Sequence, residues 1–236
     1  MIYILGIGPG STVDYLTVKA HRVLAFANLI IYIGEMIGED IIAHCNSKAE
    51  IIIKKKMPVN ELQHTISINY KLGNKIAILM PGDPSLYSGQ FMEQHCLQEH
   101  ISWMNSQNFH YEIIPGISSL SALCSLSSID ITSFNRNQSI FISSIERLRD
   151  LDSFSEEKMG ITFATQPNVV LFQSIRDWDY IYHLLIKKYP LNTEVIFAYK
   201  VSWVDEKILK TNLKDSCDVV MNNKINKHSL ILILPK

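Results

Sequence analysis

Net charge is almost absent: 22 lysine and arginine residues stand against 23 aspartate and glutamate, a formal balance of −1 over 236 residues. A basic face able to hold a phosphate backbone is therefore not expected, and no nucleic acid is expected as a partner. Long apolar runs are also lacking. None approaches the roughly 18 residues of a membrane-crossing helix, so no membrane partner is expected. The first residues, MIYILGIG, carry no basic segment and no cleavage site, which predicts a cytoplasmic protein. Cysteine is sparse and scattered. Cys45, Cys96, Cys124 and Cys217 form no C-x-x-C pair, so reduced thiols are expected and a metal site is not. No internal repeat or low-complexity linker divides the chain.

Apolar material is plentiful, at 47% hydrophobic against 19% charged residues, enough for the core of one large or two small domains. The apolar run Ile76 to Met80 stops abruptly at Pro81-Gly82-Asp83-Pro84. Unbroken runs of this kind are strands buried on both faces of a parallel sheet. Proline lacks an amide hydrogen and glycine tolerates positive φ, so the chain must leave the sheet here in a tight loop. Loops at the carboxyl ends of parallel strands are where open α/β sheets bind ligands.

The same pattern recurs along the first half. Met1 to Leu5 reads as a strand ending in Gly6-Ile7-Gly8-Pro9-Gly10. The Rossmann fingerprint would need a third glycine at position 11, where Ser11 stands. These glycines can bind a ligand or simply turn the chain. Ser11 and Thr12 are predicted to cap a helix from Val13 to about Ala27, with Leu16, Ala20, Val23 and Leu24 facing the sheet. Strands follow at Leu29 to Ile33, Glu50 to Ile53 and Phe109 to Ile114. Helices are expected from Glu39 to about Cys45, from Pro58 to roughly Tyr70, and from Ser88 to Leu97 or beyond. Strands alternating with helices make a parallel α/β domain over 1–115.

Past Ser119 the spacing changes. Strands are expected at Gln138 to Ile142, Asn168 to Leu171, Glu194 to Tyr199 and Leu230 to Leu234, with a short one at Lys207 to Lys210. Helices are expected at Ser118 to Ser127, Arg176 to Tyr189 and Leu213 to Met221. This predicts a second α/β domain, 116–236, with a mixed sheet.

Three motifs stand in order: GIGPGSTVDYLT at 6–17, PGDPSLY at 81–87 and PGISS at 115–119. Together they resemble the tetrapyrrole methylase family, whose members move a methyl group from S-adenosylmethionine to a porphyrin or corrin precursor, leaving S-adenosylhomocysteine. The stretch Tyr199-Lys200-Val201-Ser202-Trp203, followed by Asp205-Glu206-Lys207, is similar to Y-x-x-S-W-x-D-E-K of the branch that methylates precorrin-4 or its cobalt form at C11. The resemblance covers nearly the whole chain. It implies the tetrapyrrole methylase fold of two α/β domains with a cofactor cleft between them, a tetrapyrrole substrate and a homodimer. By motif, the implied cofactor contacts are Pro9, Gly82, Asp83, Tyr87, Ser118 and Ser119, then Phe172, Ala198, Tyr199 and Ser229. Asp83 carries two readings, a helix cap or a catalytic residue. Trp203 reads as structural packing.

Two departures bear on the substrate. The branch carries T-R-x-x-G-R-T-P after the first strand of its second domain, where this chain has Ile142-Ser143-Ser144-Ile145-Glu146-Arg147-Leu148-Arg149. Pro81 stands where relatives often carry a small hydroxyl residue. Substrate carboxylates would call for arginine. Arg136, Arg147, Arg149 and Lys54 to Lys56 are candidates, with plain surface charge as the alternative for each. A methyltransferase with another acceptor and a non-catalytic binding relative remain open alternatives.

Overall fold

The computed structural model describes residues 1–33, 37–54, 58–87, 97–144, 162–225 and 228–235. Residues 88–96 of the helix expected from Ser88 to Leu97 or beyond, and with them Lys55, Lys56, Arg147 and Arg149, lie outside these residues. The chain divides into two compact units, Met1–Ser119 with Ser202–Val204, and Leu120–Val201 with Asp205–Lys236.

The first unit is built on β1 (Ile2–Gly6), β2 (Leu29–Ile33), β3 (Glu50–Lys54), β4 (Ile76–Met80) and β5 (Tyr111–Ile114). They form one sheet in the order β3-β2-β4-β1-β5, and every pair in it is parallel. The apolar runs have their cause in the helices on both faces. One face carries α1 (Val18–Phe26) and α2 (Glu39–Ala43), whose Ala20, Val23, Leu24 and Ile41 pack on Leu5, Ile30, Tyr32, Ala77 and Leu79. The other carries α3 (Val59–Lys71) and α4 (Leu97–Ser106), whose Leu62, Ile66 and Met104 pack on Ile2, Ile4, Ile31, Ile76 and Ile78. With both faces dry, all five residues of β4 are buried. Each such side chain contributes about 1.5–3 kcal/mol.

The expected helix from Val13 is broken. Thr12 accepts from the Asp14 amide and caps only a 3-10 turn, Val13–Tyr15. Leu16 is extended, and Thr17 caps α1 afresh, its hydroxyl accepting from the Ala20 amide at 3.1 Å. Two capping threonines five residues apart compete for one apolar stripe, and the second starts the longer helix.

The second unit contains α5 (Ser119–Leu126), β6 (Ile140–Ser143), β7 (Asn168–Phe172), α6 (Trp178–Leu185), β8 (Glu194–Tyr199), β9 (Lys207–Asn212), α7 (Ser216–Asn223) and β10 (Ser229–Leu234). The sheet order is β6-β7-β10-β8-β9. β6 and β7 are parallel, while β10 runs antiparallel to both β7 and β8, and β9 antiparallel to β8. The expected mixed sheet is thus present. Val169, Leu171, Val195, Phe197, Ile231 and Ile233 form one face, covered by Trp178, Ile181, Leu184 and Leu185 of α6. Trp178 meets Phe197 edge-on, with ring centroids 4.8 Å apart. The expected helix from Arg176 to Tyr189 is shorter, because Ile175–Asp177 forms a 3-10 turn and the chain leaves α6 at Leu185. Tyr189 instead lies buried, its hydroxyl donating to the Pro167 carbonyl at 2.8 Å, and burial raises its pKa.

Candidate functional site

β4 and β5 flank β1 at the carboxyl end of the parallel sheet, so the loops after all three strands meet there. The loop after β1 touches the loop after β4 through an antiparallel bridge between Gly8 and Gly82. The Gly8 amide donates to the Gly82 carbonyl at 3.2 Å, and the Gly82 amide to the Gly8 carbonyl at 2.5 Å. Both residues hold a left-handed conformation, φ +74° and +70°, which is what glycine permits.

Asp83 ties in the third loop. Its Oδ1 accepts from the Ser85 amide at 2.7 Å and its Oδ2 from the Gly116 amide at 3.0 Å. A carboxylate that holds two backbone amides is an anchor for the turn after β5 as well as a cap for its own loop. Close backbone approach completes the junction. A Cβ on Gly6 would lie 2.4 Å from the Gly116 nitrogen, and one on Gly116 would lie 2.2 Å from the Gly82 oxygen. Gly82 differs: a Cβ there would meet nothing within 4 Å among the described residues.

Pro9 is buried, and its carbonyl accepts from the Trp203 indole at 3.1 Å. The Ser11 hydroxyl donates to the Ser202 carbonyl. Trp203 is only half-buried and, among the described residues, outside the apolar clusters; its indole bond makes it an anchor of the glycine-rich turn. Sequence reasoning missed this role, as it missed that of Ser11. Tyr87 is half-buried at φ +56°. Ser118 is half-buried, and Ser119 opens α5.

In the second unit, the expected contacts gather at one end of its sheet. Phe172 ends β7, Ala198 and Tyr199 end β8, and Ser229 begins β10. Ser229 pairs with Tyr199, and Leu230 pairs with both Ala198 and Phe172. Side chains alternate along strands, so Tyr199 and Ser229 share the face of Ile231 and Phe197, while Phe172 and Ala198 share the opposite one. The strands stop here because Gln173 and Lys200 are left-handed, φ 53° and 48°. Their amides donate to the carbonyls of Ser229 at 2.8 Å and His228 at 2.9 Å. The Ser229 hydroxyl is buried and has no hydrogen-bond partner among the described residues. A polar atom left so is costly unless a ligand or water meets it.

Charged groups beyond both ends of β8 are engaged. Lys200 donates to Asp205 at 2.6 Å, which raises the lysine pKa and lowers that of the carboxyl. Arg136, a candidate for substrate carboxylates, donates to Glu194 at 3.1 Å. Among the described residues, no cluster of three His, Cys, Asp or Glu side chains is arranged to hold a metal ion, and no helix is long and apolar enough to cross a membrane.

The family model of the tetrapyrrole (corrin/porphyrin) methylases matches residues 1–216. A cobalt-precorrin-4 C(11)-methyltransferase of Priestia megaterium is 28% identical over 232 residues, covering 98% of this chain and 86% of the relative. A protein of the same name from Methanocaldococcus jannaschii is 28% identical over 233 residues, with the same two coverages, 98% and 86%. The solved structure of a cobalt precorrin-4 methyltransferase, a cobalamin biosynthetic enzyme, superposes with a TM-score of 0.86 at 26% identity, covering 98% of this chain and 93% of that one. A uroporphyrin-III C-methyl transferase from Thermus thermophilus, solved with S-adenyl homocysteine, shares the fold at a TM-score of 0.73 and 19% identity, covering 98% and 91%. With most of its length matched by the family model, the chain belongs to the tetrapyrrole (corrin/porphyrin) methylases.

Proposed function

We propose that the protein is an S-adenosylmethionine-dependent C-methyltransferase of cobalamin biosynthesis that methylates cobalt-precorrin-4 or precorrin-4 at C11. The observation that carries this reading is full-length similarity to relatives of that name, over 98% of the chain.

The residues present fit the cofactor. Among the described residues, Gly82 leaves open space beside the three-loop junction and the Ser229 hydroxyl lacks a partner. In the first unit the proposed contacts are Pro9, Gly82, Asp83, Tyr87, Ser118 and Ser119. In the second they are Phe172, Ala198, Tyr199 and Ser229. Backbone groups around glycine allow close approach, and hydroxyls can donate or accept.

When bound, S-adenosylmethionine supplies an electrophilic methyl group. Transfer to an electron-rich ring carbon is an in-line displacement, so the chain's own contribution is positioning and exclusion of water. Asp83 serves this end by fixing the turn at Gly116, and in this reading it is a positioning residue rather than a base. Cytoplasmic location and a homodimer, with S-adenosylhomocysteine as the released product, complete the proposal. Sedimentation at the monomer mass under working concentrations would remove the dimer.

The test is direct. Purified protein with S-adenosylmethionine and cobalt-precorrin-4 should give a product heavier by one methyl group at C11. No product from either the cobalt or the metal-free form would sink the substrate assignment. One observation favours a second reading, the same reaction on another acceptor. Ser143 and Ser144, near the branch's T-R-x-x-G-R stretch, are both buried and carry no charge for a carboxylate. A screen of other tetrapyrroles by mass increase separates the two readings.

A further inference from the structure

We propose that Trp203 is a positioning residue that holds the glycine-rich turn after β1 in its cofactor-receiving form. This rests on the functional reading above and extends it to a residue with no assigned role.

The turn has reason to need an external hold. Gly8 and Gly10 lie at φ +74° and +97°, and glycine can leave such conformations easily. A turn that wanders loses affinity, because ordering it on binding opposes the contacts made. Among the described residues, hydrogen bonds at Gly8, Pro9, Gly10 and Ser11 fix it. Gly8 is bridged to Gly82. The Gly10 carbonyl accepts from the Gly38 amide at 2.5 Å. The remaining two come from one short segment, Ser202–Val204, which is part of the first unit although its sequence neighbours belong to the second. Trp203 donates its indole N–H to the Pro9 carbonyl at 3.1 Å, across 194 residues of sequence. Ser11 donates to the Ser202 carbonyl, and its hydroxyl lies 3.3 Å from that of Ser202. Pro9 and Ser11 are therefore both gripped by adjacent residues of one segment.

Three details set this apart from incidental packing. Trp203 is half-buried and, among the described residues, outside the three apolar clusters, while its indole N–H is spent on the Pro9 carbonyl. Ser202 holds φ +71°, a conformation costly for a residue with a side chain and retained only where the surroundings fix it. Position 11, where a Rossmann turn would place glycine, carries a hydroxyl that is used in the clamp. The Pro9 carbonyl being occupied, a ligand at this residue meets its ring and flanking backbone instead.

The test is calorimetric titration of the full-length protein with S-adenosylhomocysteine, comparing wild type with Trp203→Phe and Ser11→Ala. Phenylalanine keeps an aromatic ring but loses the N–H donor and part of the ring's volume, whereas Ser11→Ala removes only a hydroxyl. Each variant should bind roughly three- to tenfold more weakly, the range one lost hydrogen bond produces. In methyl transfer, the KM for S-adenosylmethionine should rise more than kcat falls. A merely structural tryptophan would lower the melting temperature and leave ligand affinity unchanged in the folded variant, and that result overturns the proposal. If Trp203→Phe fails to fold, Ser11→Ala, which removes a single hydroxyl, decides by the same criteria. Wild-type protein that binds no S-adenosylhomocysteine is a separate outcome, seen before any variant is made, and it overturns the functional reading and this inference together.

Discussion

Asp83 holds the Gly116 amide at 3.0 Å, so a side chain in the loop after β4 sets the turn after β5. Its second oxygen holds the Ser85 amide, which leaves the carboxylate a tether at both ends. Asp83→Ala should lose roughly 1.5–3 kcal/mol of stability, the usual worth of hydrogen bonds to a charged group. The melting temperature should fall by on the order of 5 °C. Asp83→Asn separates tether from base. As a tether it keeps one acceptor and should retain kcat within about tenfold, whereas loss of a general base costs ~10²–10⁴. A kcat loss in that larger range, in a folded variant, would return Asp83 to the chemical step.

Gly82 and Gly116 are both glycine, for different reasons, and alanine should tell them apart. At Gly82 the space is open but φ is +70°, so Gly82→Ala should cost about 1–2 kcal/mol of backbone strain and leave the fold intact. Its methyl would stand where the ligand is proposed to lie, so S-adenosylhomocysteine affinity should fall at least tenfold. At Gly116 the methyl would sit 2.2 Å from the Gly82 oxygen, and the loops must separate. Gly116→Ala should therefore lose more stability than Gly82→Ala by thermal unfolding. The reverse order would mean the junction is softer than its geometry.

Ser229 offers a substitution that should help the empty protein and harm the complex. Its buried hydroxyl has no partner among the described residues, so Ser229→Ala removes a desolvated group worth about 1–3 kcal/mol. Ligand-free Ser229→Ala should melt no lower than wild type. The rise in melting temperature produced by S-adenosylhomocysteine should shrink. An unchanged ligand-induced rise would take Ser229 out of the cofactor contacts.

Cys45 gives a pH dependence with a defined sign. Burial pushes its thiol from 9.0 to about 11. The folded protein thus keeps a proton that the unfolded chain releases first, and the unfolded state binds fewer protons between those values. The contribution of Cys45 is complete below pH 9 and declines as pH rises toward 11. Cys45→Ala should flatten the fall in stability across that window. Alkylation followed by mass spectrometry should find Cys45 slow to react in the folded protein at pH 8, because the thiolate is the nucleophile.

Legibility in the sequence followed the range of the forces involved. β1, β2 and β4 could be read because strands dry on both faces are apolar without interruption. The loops could be read because proline and glycine mark where a strand must stop. Helix bounds were harder. Leu16 fits the stripe formed by Ala20, Val23 and Leu24, yet Leu16 is extended, since periodicity records the face and not the break. The site divides in the same way. Gly82 and Asp83 stand out as loop residues, but the partner of Asp83 lies 33 residues away and that of Trp203 194 away. No local pattern specifies such pairs. The gathering of Phe172, Ala198, Tyr199 and Ser229 is set by antiparallel register, which a single strand does not encode.

The junction of Gly6, Gly82 and Gly116 limits how this protein can be changed in the laboratory. A Cβ on Gly6 or Gly116 would press first on main chain. Trimming the Pro84 ring, which also lies 2.7 Å from a Cβ on Gly6, would leave the main-chain contacts in place, so compensation must come from moving a whole segment. A chimera that borrows one of the three loops from a relative should misfit. The same chimera with all three borrowed together should fit, and libraries that randomise Gly6 or Gly116 singly should return glycine. The three segments behave as one transplantable cassette, and redesign of acceptor preference is better directed elsewhere in the chain.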